Sequence, residues 1–215
     1  IMFALSCSGI WIGLFNTIQE ICKERPILKR EYMGNLRLWT YIISKYIVQG
    51  VICLTQATIL TTVFLCLMKH APKKALFMPT PQLEIWVTMF LTIYASAAMG
   101  LIVSAVVRNG DRAMAIAPFV LIIQLLFSGV LFELKGMSKK ISLVTVSRWA
   151  MEGLGNITNL NALDSGIPNQ PVQHNDFYNR GLGHLAHTWE ILGVVAVICG
   201  IISVIMLHNL KKDRR

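Results

Sequence analysis

Long apolar runs alternate with short charged segments along this chain, and the runs have the length of bilayer-crossing helices. A hydrocarbon core about 30 Å thick takes about 20 apolar residues of helix. Five stretches qualify: Ile1 to about Gln19, about Thr40 to Met68, about Ile85 to Val107, Ala113 to Phe132, and about Thr188 to Leu207. The second is long enough to tilt or to project beyond the bilayer. No convincing strand and no internal repeat breaks the series. The expected fold class is therefore all-α: a polytopic membrane protein, a single transmembrane domain over residues 1–215 with five spanning helices.

The connections differ in kind. Segment 20–39 is charged and carries Pro26 and Gly34, which predicts one or two short helices at the membrane surface. Lys69 to Glu84 holds Pro72, Pro79 and Pro81 and is predicted to be a loop. Arg108 to Arg112 (RNGDR) is a tight polar turn, because Asn-Gly tolerates positive φ. Glu133 to His187 is the longest excursion between spans.

Composition supports the membrane reading. The chain has 215 residues, 54% of them hydrophobic and 14% charged, against roughly 25% charged in soluble domains. The net charge of +9 sits between apolar runs, where topology signals and lipid headgroup contacts belong, so nucleic acid is not an expected partner. Lys23, Arg25, Lys29, Arg30 and Arg37, the RNGDR turn and the tail LKKDRR fall on one side of a five-span bundle. That side, with the C-terminus, is expected to be cytoplasmic. The opposite loops also hold cations, among them Lys69, Lys139 and Arg148, so the bias is one of density. The five cysteines form no CxxC and read as small apolar residues, not as disulfides or metal ligands. The chain opens at Ile1 inside an apolar run, and an upstream part is expected.

Few polar residues fall within the spans. Asn16 and Gln124 are amides at membrane depth, where an unpaired group is costly; they either bond neighbouring helices or face a substrate. Gln49 and Gln56 share one helix face, which suits interhelical hydrogen bonding. Pro118 removes a backbone bond inside the fourth span and is a candidate kink or hinge. Gly129, after Phe127 and Ser128, allows a bend or close approach, and Val130 and Leu131 follow it. His184, His187 and Glu190 could form a metal face on a helix, but polar side chains at a membrane edge explain them as well, and no metal is expected. Asn156 to Thr158 has the form of a glycosylation sequon, which matters only in a secretory-pathway host. No nucleophile, base and orienting acid occur at a plausible spacing, so no catalytic residues are expected. The absence of a buried acid or an interrupted helix pair in the pattern argues against an ion-coupled transporter.

Two motifs resemble a known family. Glu24, Arg25, Arg30, Glu31, Tyr32, Gly34, Arg37, Tyr41, Ser44 and Lys45 are similar to the loop after the second transmembrane helix of G-subfamily ABC transporters. Ala117 to Leu154 resembles their fifth helix, which ends in Phe-Ser-Gly and is followed by a shallow re-entrant segment. The resemblance covers helices two to six of six, and extends to bacterial members in which a forkhead-associated domain precedes the ATPase. It implies an exporter permease working as a homodimer or pseudo-symmetric heterodimer in a bacterial inner membrane, in contact with membrane lipid. ATP and Mg would belong to a fused or partner ATPase domain, since no GxxxxGK[ST] occurs here and the chain itself carries no cofactor.

By the same resemblance, Glu24, Arg25, Arg30, Glu31, Gly34 and Arg37 form the coupling segment that touches the ATPase. Ile12, Asn16, Leu121, Ile122 and Leu125 face a substrate cavity on the dimer axis. Val130 and Leu131 form an exit gate, a hydrophobic constriction that can exclude water and reseal by packing, with Pro118 and Gly129 as hinges. One departure is that no cysteine lies between Cys66 and Cys199, where many animal members carry cross-linking cysteines. The expected cargo is amphipathic or lipid-like. The rival expectation is a non-transporting scaffold or sensor that binds partners through its long outer loop.

Overall fold

The computed structural model describes residues 1–33, 37–67, 75–107, 109–131, 136–162, 178 and 181–208. Eight α-helices run through them: α1 (Met2–Thr17), α2 (Glu20–Met33), α3 (Leu38–Leu67), α4 (Pro81–Val106), α5 (Gly110–Leu126), α6 (Met137–Ser142), α7 (Val146–Thr158) and α8 (Leu182–His208). No strand occurs among the described residues. Four segments are long and apolar enough to cross a membrane: Met2–Leu28, Leu38–Leu67, Pro81–Val106 and Leu182–His208. The first combines α1 with the start of α2, which follow one another through a turn at Ile18 and Gln19.

These helices are apolar all round, so side-chain size decides which face turns inward. In lipid there is no hydrophobic drive for helices to associate, and small residues that let backbones approach supply the contact. α4 is the centre. It touches α1, α2, α3, α5, α7 and α8, and Ala95, Ser96, Ala97, Ala98, Gly100, Ser104 and Ala105 are all buried on it. α1 meets it through Gly9 and Gly13; a Cβ at Gly13 would collide with the Ile93 carbonyl. Two side-chain bonds cross the same seam: Ser96 Oγ donates to the Ile10 carbonyl (2.6 Å) and Thr17 Oγ1 to the Ala97 carbonyl (2.7 Å). The bulky residues face outward, with Ile43, Ile47, Val51 and Ile59 of α3 and Val197 of α8 all exposed.

α4 starts at Pro81, four residues before its expected boundary. Proline suits the first helical position, because its missing N–H would have had no partner there. α5 differs more. It ends at Leu126 rather than near Phe132, and its 17 residues span about 26 Å at 1.5 Å per residue, less than a full hydrocarbon core. Gly129 ends the run by adopting φ 80°, a left-handed turn. α5 buries only the stripe Ala113, Ala117, Leu121 and Gln124.

After Gly136 the chain folds back into the bundle. All residues of α7 from Val146 to Ile157 are buried, packed against α1, α4, α5 and α8. α8 begins at Leu182, six residues before its expected start. The bundle thus has an α2 end, where α4 and α8 finish and α3 and α5 begin, and an α7 end.

Candidate coupling interface

α2 is a two-sided helix, and its inner side is wired to three neighbours. Its first turn has backbone N–H groups with no partner within the helix. Ser104 of α4, fully buried, supplies the acceptor: its Oγ takes the N–H of Ile21 (2.9 Å) and of Cys22 (3.0 Å). The favour is returned at the end of α4, whose last carbonyls also lack helical partners. Arg25 donates from its guanidinium to the Val107 carbonyl (3.0 Å) and the Ala105 carbonyl (3.4 Å). A cation is also electrostatically favoured at a helix C-terminus. Gln19, at the turn before α2, donates to the Gly110 carbonyl at the start of α5 (3.2 Å).

The link to α3 is ionic. Lys45 Nζ lies 2.5 Å from Glu24 and 3.2 Å from Glu20, and the Tyr41 hydroxyl donates to Glu24 at 2.6 Å. Below these polar contacts Ile21, Leu28, Leu38, Ile42, Leu101, Ala105, Val204 and Leu207 pack as one apolar cluster. The outer side carries Lys23, Pro26, Ile27, Arg30 and Glu31, all exposed. The helix runs through Pro26, so the expected surface segment is a single helix half sunk into the bundle, not a peripheral one.

The six expected coupling residues therefore separate. Glu24 and Arg25 point inward and anchor α2. Arg30 and Glu31 are exposed on its outer side, and Arg37 is exposed just before α3. Gly34 lies outside the described residues. Three partners were not among the expected site residues: Ser104, Lys45 and Tyr41. Lys45 and Tyr41 stood within the recognised motif, whereas Ser104 is one small residue in a run of small residues.

The expected cavity residues do not share a cavity within one chain. Asn16 Nδ2 donates to Gln56 Oε1 (2.6 Å), joining α1 to α3, and Ile12 packs toward Cys53, Ala57, Ile93 and Ala97. Leu121 is buried in the central cluster with Ile10, Leu14 and Trp149. Ile122 is 51% exposed on α5 and Leu125 is half-buried. Pro118 is exposed on α5, where its ring removes the N–H that would meet the Met114 carbonyl. Gly129 and Val130 line a cavity of about 330 Å³ with Met2, Phe3, Met151 and Tyr178; Leu131 is exposed.

A second polar node was missed. The carboxylate of Glu152 on α7 is buried, 3.7 Å from Arg148 Nε one turn earlier and 2.7 Å from His184 Nε2 on α8. Burial pushes the Glu152 pKa above its ordinary value, against the opposing pull of His184, Arg148 and His187. Gln124 accepts from the Ser147 N–H at 3.0 Å, a cap for α7 supplied by α5. Glu84 is also fully buried, its Oε1 accepting from the N–H groups of Leu76, Phe77 and Met78. Two buried acids correct the expectation of none. Both sit at the α7 end, in first turns or re-entrant structure, where composition of the long runs could not reveal them. His187 stacks edge-on against Trp149 and Glu190 is exposed. Among the described residues no cluster of three metal-ligating side chains occurs.

Comparison with known proteins adds the following. The family model described as ABC-2 type transporter matches residues 1–157. The ABC transporter ATP-binding/permease protein Rv1747 of Mycobacterium tuberculosis is 30% identical over 151 residues, which is 69% of this chain and 18% of that protein. The chain thus spans about a fifth of the length of this relative.

Proposed function

The chain belongs to the ABC-2 type transporter family, and on that premise we propose that it is the permease of an ATP-driven exporter, coupled through α2. It is an integral membrane protein, and the name of the mycobacterial relative joins ATP-binding to permease in one protein. The observation that carries the proposal is the division of α2: anchored inward by Ser104, Arg25 and Lys45, exposed outward at Arg30 and Glu31. A lever needs both a rigid attachment to several spans and a free polar face to be pushed. ATP and Mg bind the ATPase domain that presses this face. α2 then moves with α4, α3 and α5, to which it is tied.

The α2 end, with the C-terminus, faces the cytoplasm of a bacterial inner membrane. The protein works as a dimer. Its support is the unpartnered apolar surface on α1 (Trp11, Phe15) and α5 (Phe119, Ile122). Ile12, Asn16, Leu121, Ile122 and Leu125 then bound the substrate path where two copies meet, with Leu121 and Asn16 exposed only when the helices part. Val130 and Leu131 gate the exit, and Pro118 and Gly129 are its hinges. An apolar path suits an amphipathic or lipid-like cargo. The test is charge reversal on the outer side, Arg30→Glu with Glu31→Lys, in the intact ATPase-containing protein. Cargo-stimulated ATP hydrolysis should fall while the amount of folded protein in the membrane holds. Unchanged stimulation would sink the coupling role.

A further inference from the structure

On the side of the bundle formed by α3, α4 and α8 lies a groove of about 490 Å³. We propose that it seats one acyl chain of an anionic phospholipid from the leaflet on the α2 side. The floor is set low by Gly193, Ala196 and Gly200 of α8. One wall is aromatic and rigid: Phe90 and Tyr94 stack along α4 at 5.8 Å, and Tyr46 meets Tyr94 edge-on at 5.9 Å. The two tyrosine hydroxyls in the groove are already committed. Tyr46 donates to the Ala196 carbonyl (3.1 Å) and Tyr94 to the Tyr46 carbonyl (3.4 Å). What remains for an occupant is hydrocarbon surface.

Three observations favour a lipid chain over another helix. The groove is built from three membrane-crossing helices, so lipid is the surrounding medium. Its rim is Ile43, Ile47, Val197 and Ile201, bulky and exposed, whereas the helix seam between α1 and α4 is made of glycine, alanine and serine. Its mouth carries Trp39, 54% exposed on the first turn of α3, a residue type that marks headgroup level. Arg37, exposed just before α3, offers a cation at that level for a phosphate. Within a bilayer the affinity comes from packing against a preformed wall and from this charge, not from leaving water.

The test uses the full-length protein in phosphatidylethanolamine vesicles doped with phosphatidylglycerol carrying a diazirine on its acyl chain. Illumination should label residues 39–47 and 193–201 well above Val51 and Ile59, which are exposed on α3 outside the groove. Gly193→Phe projects into open space, since no atom lies within 4 Å of its Cβ position, and should lower groove labelling to the level of Val51 and Ile59 with the fold intact. Arg37→Gln should lower it roughly fivefold, the effect of about 1 kcal/mol per interfacial cation. Groove labelling no higher than at Val51 and Ile59, or unchanged in both variants, overturns the proposal. So does a cross-link from Val197→Cys to another protein segment, which would place a helix in the groove.

Discussion

Arg25→Met isolates the anchoring role of α2 from its docking role. The substitution keeps the aliphatic stem and removes both bonds to the end of α4. The 3.0 Å bond to Val107 is well formed and the 3.4 Å bond to Ala105 is long. A hydrogen bond from a charged donor is worth about 1.5–3 kcal/mol, and a cation at a helix C-terminus about 0.3–1 kcal/mol. Arg25 is half-buried, so water recovers part of each, and about 2 kcal/mol remains as the net loss. That corresponds to roughly a thirtyfold rise in the population with α2 detached from α4. Hydrogen exchange in nanodiscs reads it at the amides of Ile21 and Cys22, which are protected by Ser104. Amides in the middle of α3 should not change. The reasoning fails if exchange at Ile21 and Cys22 stays at the wild-type rate, or if Arg30→Met, on the outer side, raises it equally.

Ser104→Ala should raise exchange at the same two amides, since each buried donor left unpaired costs about 1–3 kcal/mol; combined with Arg25→Met the effects should be less than additive, because both open one junction. Asn16→Ala and Gln56→Ala should show a coupling of about 0.6 kcal/mol in a double-mutant unfolding cycle, the usual size for a polar pair between membrane helices; additive losses would argue against the bond. Glu152 supplies a pH test. Its raised pKa means the fold prefers the protonated acid. That contribution is complete below the ordinary carboxyl value and is lost as pH rises through the raised one. Glu152→Gln should flatten the fall in thermal stability as pH rises above the ordinary carboxyl range, and an unchanged slope would refute the assignment.

The spans were legible because a bilayer imposes a length on any apolar run, and this one physical rule acts on local sequence. The end of α5 was not, because Phe127 to Leu131 largely continues the apolar pattern although the helix stops at Leu126 and Gly129 beyond it turns left-handed. A re-entrant segment where α7 lies was implied only by the family resemblance, not by the pattern of the residues. Its sequence VSRWAMEGLGNIT is polar enough to read as part of an outer loop, and its burial depends on partners in α4, α5 and α8. At the coupling site the charges were visible but their direction was not. Glu24 is fixed by Lys45, 21 residues on, and the α2 N-terminus by Ser104, more than 80 residues on. Which residues anchor and which remain outside is decided by those distant partners.

The ionic contacts of α7 also constrain how this chain is made. The histidine that meets Glu152 belongs to α8, 32 residues further along, so this buried carboxyl has that partner only once α8 exists. During synthesis α7 therefore completes its polar contacts only after α8 has been made. The re-entrant hairpin is thus finished last, although the final span follows it in the sequence.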